Sequence, residues 1–583
     1  MTTKNPYWNT RFLKFMLNLF GSNINKTVIR LISWIKYNFC FCKAAPFASG
    51  LVFSYKLAEK AVVSVFITYF AQDPNDPLNL KVAIAFVNGQ EALSALLYIF
   101  MVYLSQAFSG HLKRIIFCLT VAYTCGMVMI GLVAFGVGGS IRYELTLFII
   151  GLILVAAGRS GLMPFVRQFT AEQLEAHEAD KQNIKEERVK AREEIWWRFA
   201  WVAGSLVAIP LFNRSWPLRL ITTGWVMGIT FVLFYLATPL YHKREAAATS
   251  TEKPFTCIRV VRAALLKRHM EYPSSPDHFF HQYNDELELW PQAKLLRWID
   301  KAAIIEFEST LGREEQEKAG RLCSVTKVQE TKYILKLIPM WSTFLVFGLL
   351  LSAGNTFSAQ QGIQMKSPNL LIYLVLLQSI TRETVSTLSR FLLSKWFPKA
   401  RLKQNIMRIW AGMLVSILCS AVLWRVENRR LVEDGGLNFN ESVYYGFYGY
   451  KAMSIWWLAP QFLLLGLMDG LAMYGLEDFT IDDDHLSGSM KNFLRAINTF
   501  IVSGIGSTLN IFIFYTNKNL FHDSLNDSHL DRYYKYLTIY GTPINCVYLL
   551  LISIFIYRLS DAVQVNEESM SETTVPDTYT KKK

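Results

Sequence analysis

The chain has 583 residues, 52% of them hydrophobic and 18% charged, where ordinary soluble domains carry about a quarter charged residues. The formal net charge is +14, but the basic residues lie at the ends of apolar runs instead of forming one patch with interleaved aromatics, which argues against a nucleic-acid partner. No single aqueous core hides so many apolar stretches, so the chain is expected to sit in lipid.

In chain order, residues 1–44 alternate apolar clusters with Lys14, Lys26, Arg30, Lys36 and Lys43. They read as a basic cytoplasmic leader lying on the inner leaflet. A membrane-crossing helix needs about 20 mostly apolar residues, since every backbone polar group must be satisfied within the segment. Spans of this kind fall near 46–70, 80–104, 114–137, 144–169, 194–213 and 217–241. A second set follows near 333–355, 368–394, 406–426, 450–475, 491–515 and 533–557. The expected fold class is therefore all-α integral membrane, with about 12 transmembrane helices in two six-helix bundles, at 45–241 and 333–558.

The hydrophilic segment 242–332 reads as a cytoplasmic linker, and 559–583 as a disordered cytoplasmic tail. Within the linker, Leu295 to Ile305 spaces its apolar residues near a helical period, which predicts an amphipathic helix on the inner membrane face. Two six-span halves joined in this way suit two bundles rocking about a central cavity. Lys and Arg are dense after spans two, four and eight (Lys113, Arg114, Lys181, Lys185, Arg188, Lys395, Arg401) and sparse in the alternate loops, so both ends should face the cytoplasm. Asn-X-Ser triplets at Asn213, Asn440 and Asn526 fall in loops placed outside. The cysteines lack metal-ligand spacing; Cys118, Cys125 and Cys419 lie inside apolar runs, as small hydrophobes do. Trp196-Trp197 and Trp456-Trp457, near span ends, are expected in interfacial belts.

Several motifs resemble the plant nitrate and peptide transporter family, a branch of the proton-coupled oligopeptide transporters in the major facilitator superfamily. Trp298-Ile-Asp-Lys-Ala-Ala-Ile304 is similar to its linker signature, and Arg321 to Glu330 with Leu337-Ile-Pro-Met-Trp341 to its approach to the seventh span. Phe231 to Tyr241 resembles the end of its sixth span, and Leu525 to Asp531 the motif before its twelfth. The similarity runs from about residue 46 to 558. It implies a multi-pass carrier in the plasma or vacuolar membrane, with no cofactor and with the proton as candidate co-substrate.

The departures from the family pattern concern charge. Where relatives carry two glutamates three apart followed by a base, this chain has Lys56-Leu-Ala-Glu59-Lys60. A fourth-span lysine before a proline is Met163 here, a second-span aspartate is Gln106, and the arginine after it is His111. A tenth-span glutamate is Asp469, and Leu351 stands where some nitrate-carrying relatives have histidine.

A charge in hydrocarbon is costly, so it should face a wet cavity or a partner. Lys56, Glu59 and Lys60 share one stretch of helix and, given the resemblance, are candidates for the substrate or proton pathway; a structural ion-pair cluster is the competing reading. Asp469, beside Gly470, is a candidate partner for a substrate amine or a gating cation, or a packing carboxylate. Arg159, between Gly158 and Gly161, is either an anion ligand or a residue of a tight helix crossing, and Glu383 either a pathway acid or the structural partner of Arg382, with Glu91 treated alike. His177 and the charged run Glu178 to Glu194 read as a solvated loop helix. The partners implied are a small polar solute or ion and the lipid bilayer. With one acid replaced and the fourth-span lysine lost, proton coupling is expected to be altered, and the added cations favour anions. A membrane sensor that kept the fold and lost transport is the alternative. An enzyme is not expected, for want of a metal-ligand cluster, phosphate loop or nucleophile elbow in a suitable context.

Overall fold

The computed structural model describes residues 45–63, 80–107, 111–135, 141–179, 186–242, 256–273, 278–280, 296–306, 312–397, 400–435, 453–481, 486–517, 519–522, 525 and 528–554. The leader, the tail, Cys40, Cys42, Asn440 and Asn526 lie outside them. Among the described residues the structure is helical, with no β-sheet, only isolated bridges such as Phe279 with Ile304.

Twelve helices stand where spans were expected. In chain order they are α1 (Ala45–Ala61), α2 (Leu80–Ala107), α3 (Leu112–Ala134), α4 (Ile141–Ala179), α5 (Glu186–Phe212) and α6 (Trp216–Leu236). Then come α7 (Val325–Gln364), α8 (Leu371–Trp396), α9 (Arg401–Gly435), α10 (Ala459–Ile481), α11 (Gly488–Thr516) and α12 (Leu530–Ile554). Among the described residues nine are long and apolar enough to cross a bilayer, and the described parts of α1, α5 and α8 fall short in length or apolar run. Those three carry Lys56, Glu59 and Lys60, a charged first turn, and Arg382 with Glu383. Large apolar side chains such as Phe100, Val128, Ile153, Trp225, Leu418 and Phe512 are exposed along the spans, as lipid-facing residues are.

The helices group into two compact units, 1–63 with 110–247, and 64–109 with 248–583. The first contains α1 and α3 to α6. The second contains α2, the linker and α7 to α12. What holds α2 in the second unit is a buried polar node. Asn88 Oδ1 accepts from Ser352 at 2.7 Å, Thr356 at 3.2 Å and Asn510 at 3.3 Å, joining α2 to α7 and α11. In an apolar interior such a node is costly to open, because each freed group is left without water. Below it α7 and α11 cross backbone to backbone: a Cβ on Gly506 would meet the Gly348 main chain. Next to that crossing, Phe500–Ile505 of α11 winds as a π-helix.

The linker folds on the first turns of α7. Val260, Phe279, Ile299, Ile304, Cys323 and Val328 form its core, around the helix Thr256–Leu266. Here the sequence expectation needs correcting. The stretch expected as an amphipathic α-helix is a 3-10 helix, Arg297–Ala303, with Ile299, Ala302 and Ala303 turned into this core. Its buried residues recur every three positions, the period of a 3-10 turn. Leu296, in the left-handed region at φ 58°, stands at its N-terminal end. Asp300, fully buried, pairs with Lys332 of α7 at 2.5 Å; burial pushes its carboxyl above the ordinary range, against the pull of that ammonium.

Removing one partner of this pair strands a buried charge. Lys332→Met is expected to destabilise linker docking by about 3 kcal/mol, read as faster amide exchange over 297–304. The double change Lys332→Met with Asp300→Asn should recover most of the loss.

Candidate functional site

In the first unit α1 brings Lys56, Glu59 and Lys60 onto neighbouring turns. Lys56 Nζ pairs with Glu59 Oε2 at 2.5 Å, and Arg159 of α4 reaches Glu59 Oε1 at 4.0 Å. One carboxylate thus lies among three cations, counting Lys60, so these four groups sum to a net charge of two positive (three minus one).

Why α5 adjoins them follows from one glycine. A Cβ on Gly204 would collide with the Phe53 carbonyl and crowd Lys56 Cβ at 3.1 Å, so only glycine lets α5 lie this close to α1. One turn earlier on α5, the buried ring of Trp201 lies 5.4 Å from Lys56 Nζ and 5.8 Å from Lys60 Nζ. At such distances the ring face attracts both ammonium groups. Tyr55 lies 5.3 Å from Lys56 Nζ and 5.5 Å from the Tyr123 ring, which closes the cluster towards α3. Trp201 escapes sequence reading because its role depends on the approach that Gly204 permits.

The second unit holds a related arrangement. Gly470 lets α10 press on the Arg382 main chain of α8. Arg382 then spans two acids, Glu383 at 3.1 Å and Asp469 at 3.5 Å, while the Tyr474 hydroxyl donates to Glu383 at 2.7 Å. The cation facing Asp469 is therefore one helix away in the same unit. Glu91, in α2, is half-buried.

A further charged group lies past the expected end of span nine. Arg430 chelates Glu427 at 2.8 and 2.9 Å and donates to Gln364 at 2.9 Å; Gln361 donates to Glu427 at 2.6 Å and accepts from Gln461 at 3.0 Å. These ions are both buried, and they tie α9 to α7 and α10. Leu351 is buried in the apolar cluster of the same unit. Of the tryptophans, Trp456 and Trp457 are exposed, as belt residues are, with Arg429 3.8 Å over the Trp457 ring, whereas Trp196 is buried in the protein. The side chains of Gln106, His177 and the run to Glu194 lie outside the described ones.

Charged clusters held inside long apolar helices mark a membrane protein with a path for polar solutes. Comparison with known proteins gives the class its particular form. Residues 113–522 match the POT family (PTR2), and the chain belongs to that family of membrane transporters. It is 27% identical over 546 residues to Protein NRT1/ PTR FAMILY 5.6 of Arabidopsis thaliana, covering 87% of this chain and 90% of that one. With Protein NRT1/ PTR FAMILY 5.7 of the same plant it shares 25% over 554 residues and 88% of each chain. Among solved structures it is similar to an auto-inhibited POT family peptide transporter, with TM-score 0.60 and 15% identity, over 88% of this chain and 97% of that one. It is also similar to the POT family transporter PepTSo, at TM-score 0.58 and 12% identity, over 89% and 98%. The fold is thus the all-α major-facilitator fold of an integral membrane transporter, and the protein is not an enzyme.

Removing the shared carboxylate leaves Lys56, Lys60 and Arg159 in mutual repulsion. Glu59→Gln is expected to lower stability by about 3 kcal/mol, measured by thermal unfolding in detergent. Gly204→Leu, by overpacking α1 against α5, should cost roughly 1–3 kcal/mol.

Proposed function

We propose that this transporter moves a small anion, inorganic or organic, by alternating access, with proton coupling altered from that of relatives bearing two acids in the first span. The observation that carries this reading is the pairing of Glu59 with Lys56, which stands where such relatives have the first acid, while Arg159 lies on the other oxygen. A carboxylate that gives and takes a proton during a cycle must be able to exist neutral. Here the carboxylate is engaged by two cations, Lys56 and Arg159. The same cations, with Lys60, supply positive potential for an anionic solute. Lys56, Glu59, Lys60 and Arg159 form the proposed pathway in one unit, Glu383 and Asp469 in the other, with Arg382 holding the latter two. We place both ends of the chain and the linker in the cytoplasm, from the Lys and Arg content of the short loops.

Uptake of labelled anions and dipeptides by oocytes or proteoliposomes tests the reading. Anion uptake at pH 7.5 should stay within about twofold of that at pH 5.5, since Glu59 is already paired with Lys56 and Arg159. Lys56→Glu, by restoring two carboxylates three residues apart, should introduce acid stimulation. Strong acid stimulation of the unmodified protein, abolished by Glu59→Gln, would refute the proposal; transport of no solute would favour a sensor.

A further inference from the structure

The linker helix Thr256–Leu266 has two faces of different character. Val260, Ala263 and Ala264 are buried in the linker core, and Lys267 follows them inward, donating to the Ile304 carbonyl at 2.5 Å and lying 3.7 Å from Glu306. Burial lowers the affinity of that ammonium for its proton, against the pull of Glu306. On the opposite side Ile258, Arg262 and Leu265 recur at intervals of four and three, with Leu266, Arg268 and His269 beside them, all exposed. Ile258 is 65% exposed, Leu265 55% and Leu266 49%, far more than a helix needs to show when its other face already supplies the core. From Thr256 to Met270 the sequence has two further cations, Arg259 and Lys267, and no carboxylate.

The position of this face is set by α7. Forty residues make that helix about 60 Å long, twice the hydrocarbon thickness of roughly 30 Å. The linker core grips its first turns through Val325 and Val328 and reaches Leu335. Lys336 follows, and then the apolar run from Leu337 begins. The linker therefore sits beside the point where α7 leaves the lipid headgroups.

We propose that the face of Ile258, Arg262, Leu265, Leu266 and Arg268 docks on the bilayer surface, its leucines and isoleucine at the acyl boundary and its arginines on anionic lipid headgroups. Apolar side chains flanked by cations, without acids, are complementary to that surface. The occupant is lipid already next to the protein, so docking costs little translational entropy. Through the Asp300–Lys332 pair and the shared core, a docked linker holds the cytoplasmic end of α7 at a fixed depth. This inference is independent of the solute carried.

Amide exchange on the full-length protein tests it in three environments: detergent, nanodiscs of phosphatidylcholine, and nanodiscs with about a third phosphatidylserine. Each exposed arginine near an anionic surface favours binding about fivefold, so exchange over 258–269 should slow by tenfold or more in the anionic discs relative to detergent. The double change Arg262→Glu with Arg268→Glu, at exposed positions that leave the core intact, should remove that slowing. Equal exchange in all three environments would overturn the proposal, as would equal protection in detergent, which would mean that another segment of the chain covers the face. Equal protection in neutral and anionic discs, unmoved by the charge reversal, would overturn the role of the arginines.

Discussion

An ion inside a bilayer persists only where the protein answers it, and the helix packing of this transporter is organised around that demand. Lys56 and Arg159 share Glu59; Arg382 spans Glu383 and Asp469; Arg430 chelates Glu427 among three glutamines. In the second group Gly470 brings α10 near enough to α8 for Arg382 and Asp469 to meet, and beside the first Gly204 brings the Trp201 ring against the lysines. The third is closed and neutral, and serves as a fixed tie between α9 and its neighbours. The first two hold ions of both signs in shared contacts: two cations on the Glu59 carboxylate, and one guanidinium between Glu383 and Asp469.

That sharing explains why Lys56 is a more consequential substitution than its size suggests. Exchanging an acid for a lysine three residues before Glu59 changes the local charge by two. It also fills the hydrogen-bonding site at Glu59 Oε2 that a proton or a substrate cation would otherwise use. The Trp201 ring stabilises the added ammonium without neutralising it.

The spans were legible because twenty apolar residues in a row admit one explanation, and α8 was found despite its Arg382-Glu383 pair. The spacing of Lys56, Glu59 and Lys60 likewise revealed their common stretch of helix. What the sequence hid was set by packing. Trp201 stood out from nothing in the sequence, because its place against two lysines depends on Gly204. Glu427 and Arg430 were lost because α9 continues to Gly435, well past the apolar run that ended near 426. The linker stretch around Ile299 has apolar residues at positions that serve a 3-10 turn as well as an α-helix, and tertiary burial chose the tighter form.

The π-wound segment of α11 also settles a question of phase. Asn498, bound by Trp341 of α7 and Thr480 of α10, and Asn510, bound to Asn88, are twelve residues apart. In a regular helix twelve residues advance the azimuth about 120° beyond whole turns, so one asparagine would point away from the protein. The wider winding absorbs about one residue of rotation and leaves the two roughly 20° apart. Both amides are thereby aimed inward along one seam. A relative shortened by a single residue within Phe500–Ile505 could wind there as a regular α-helix and keep both amides on that seam, since eleven residues advance the azimuth by the same roughly 20°.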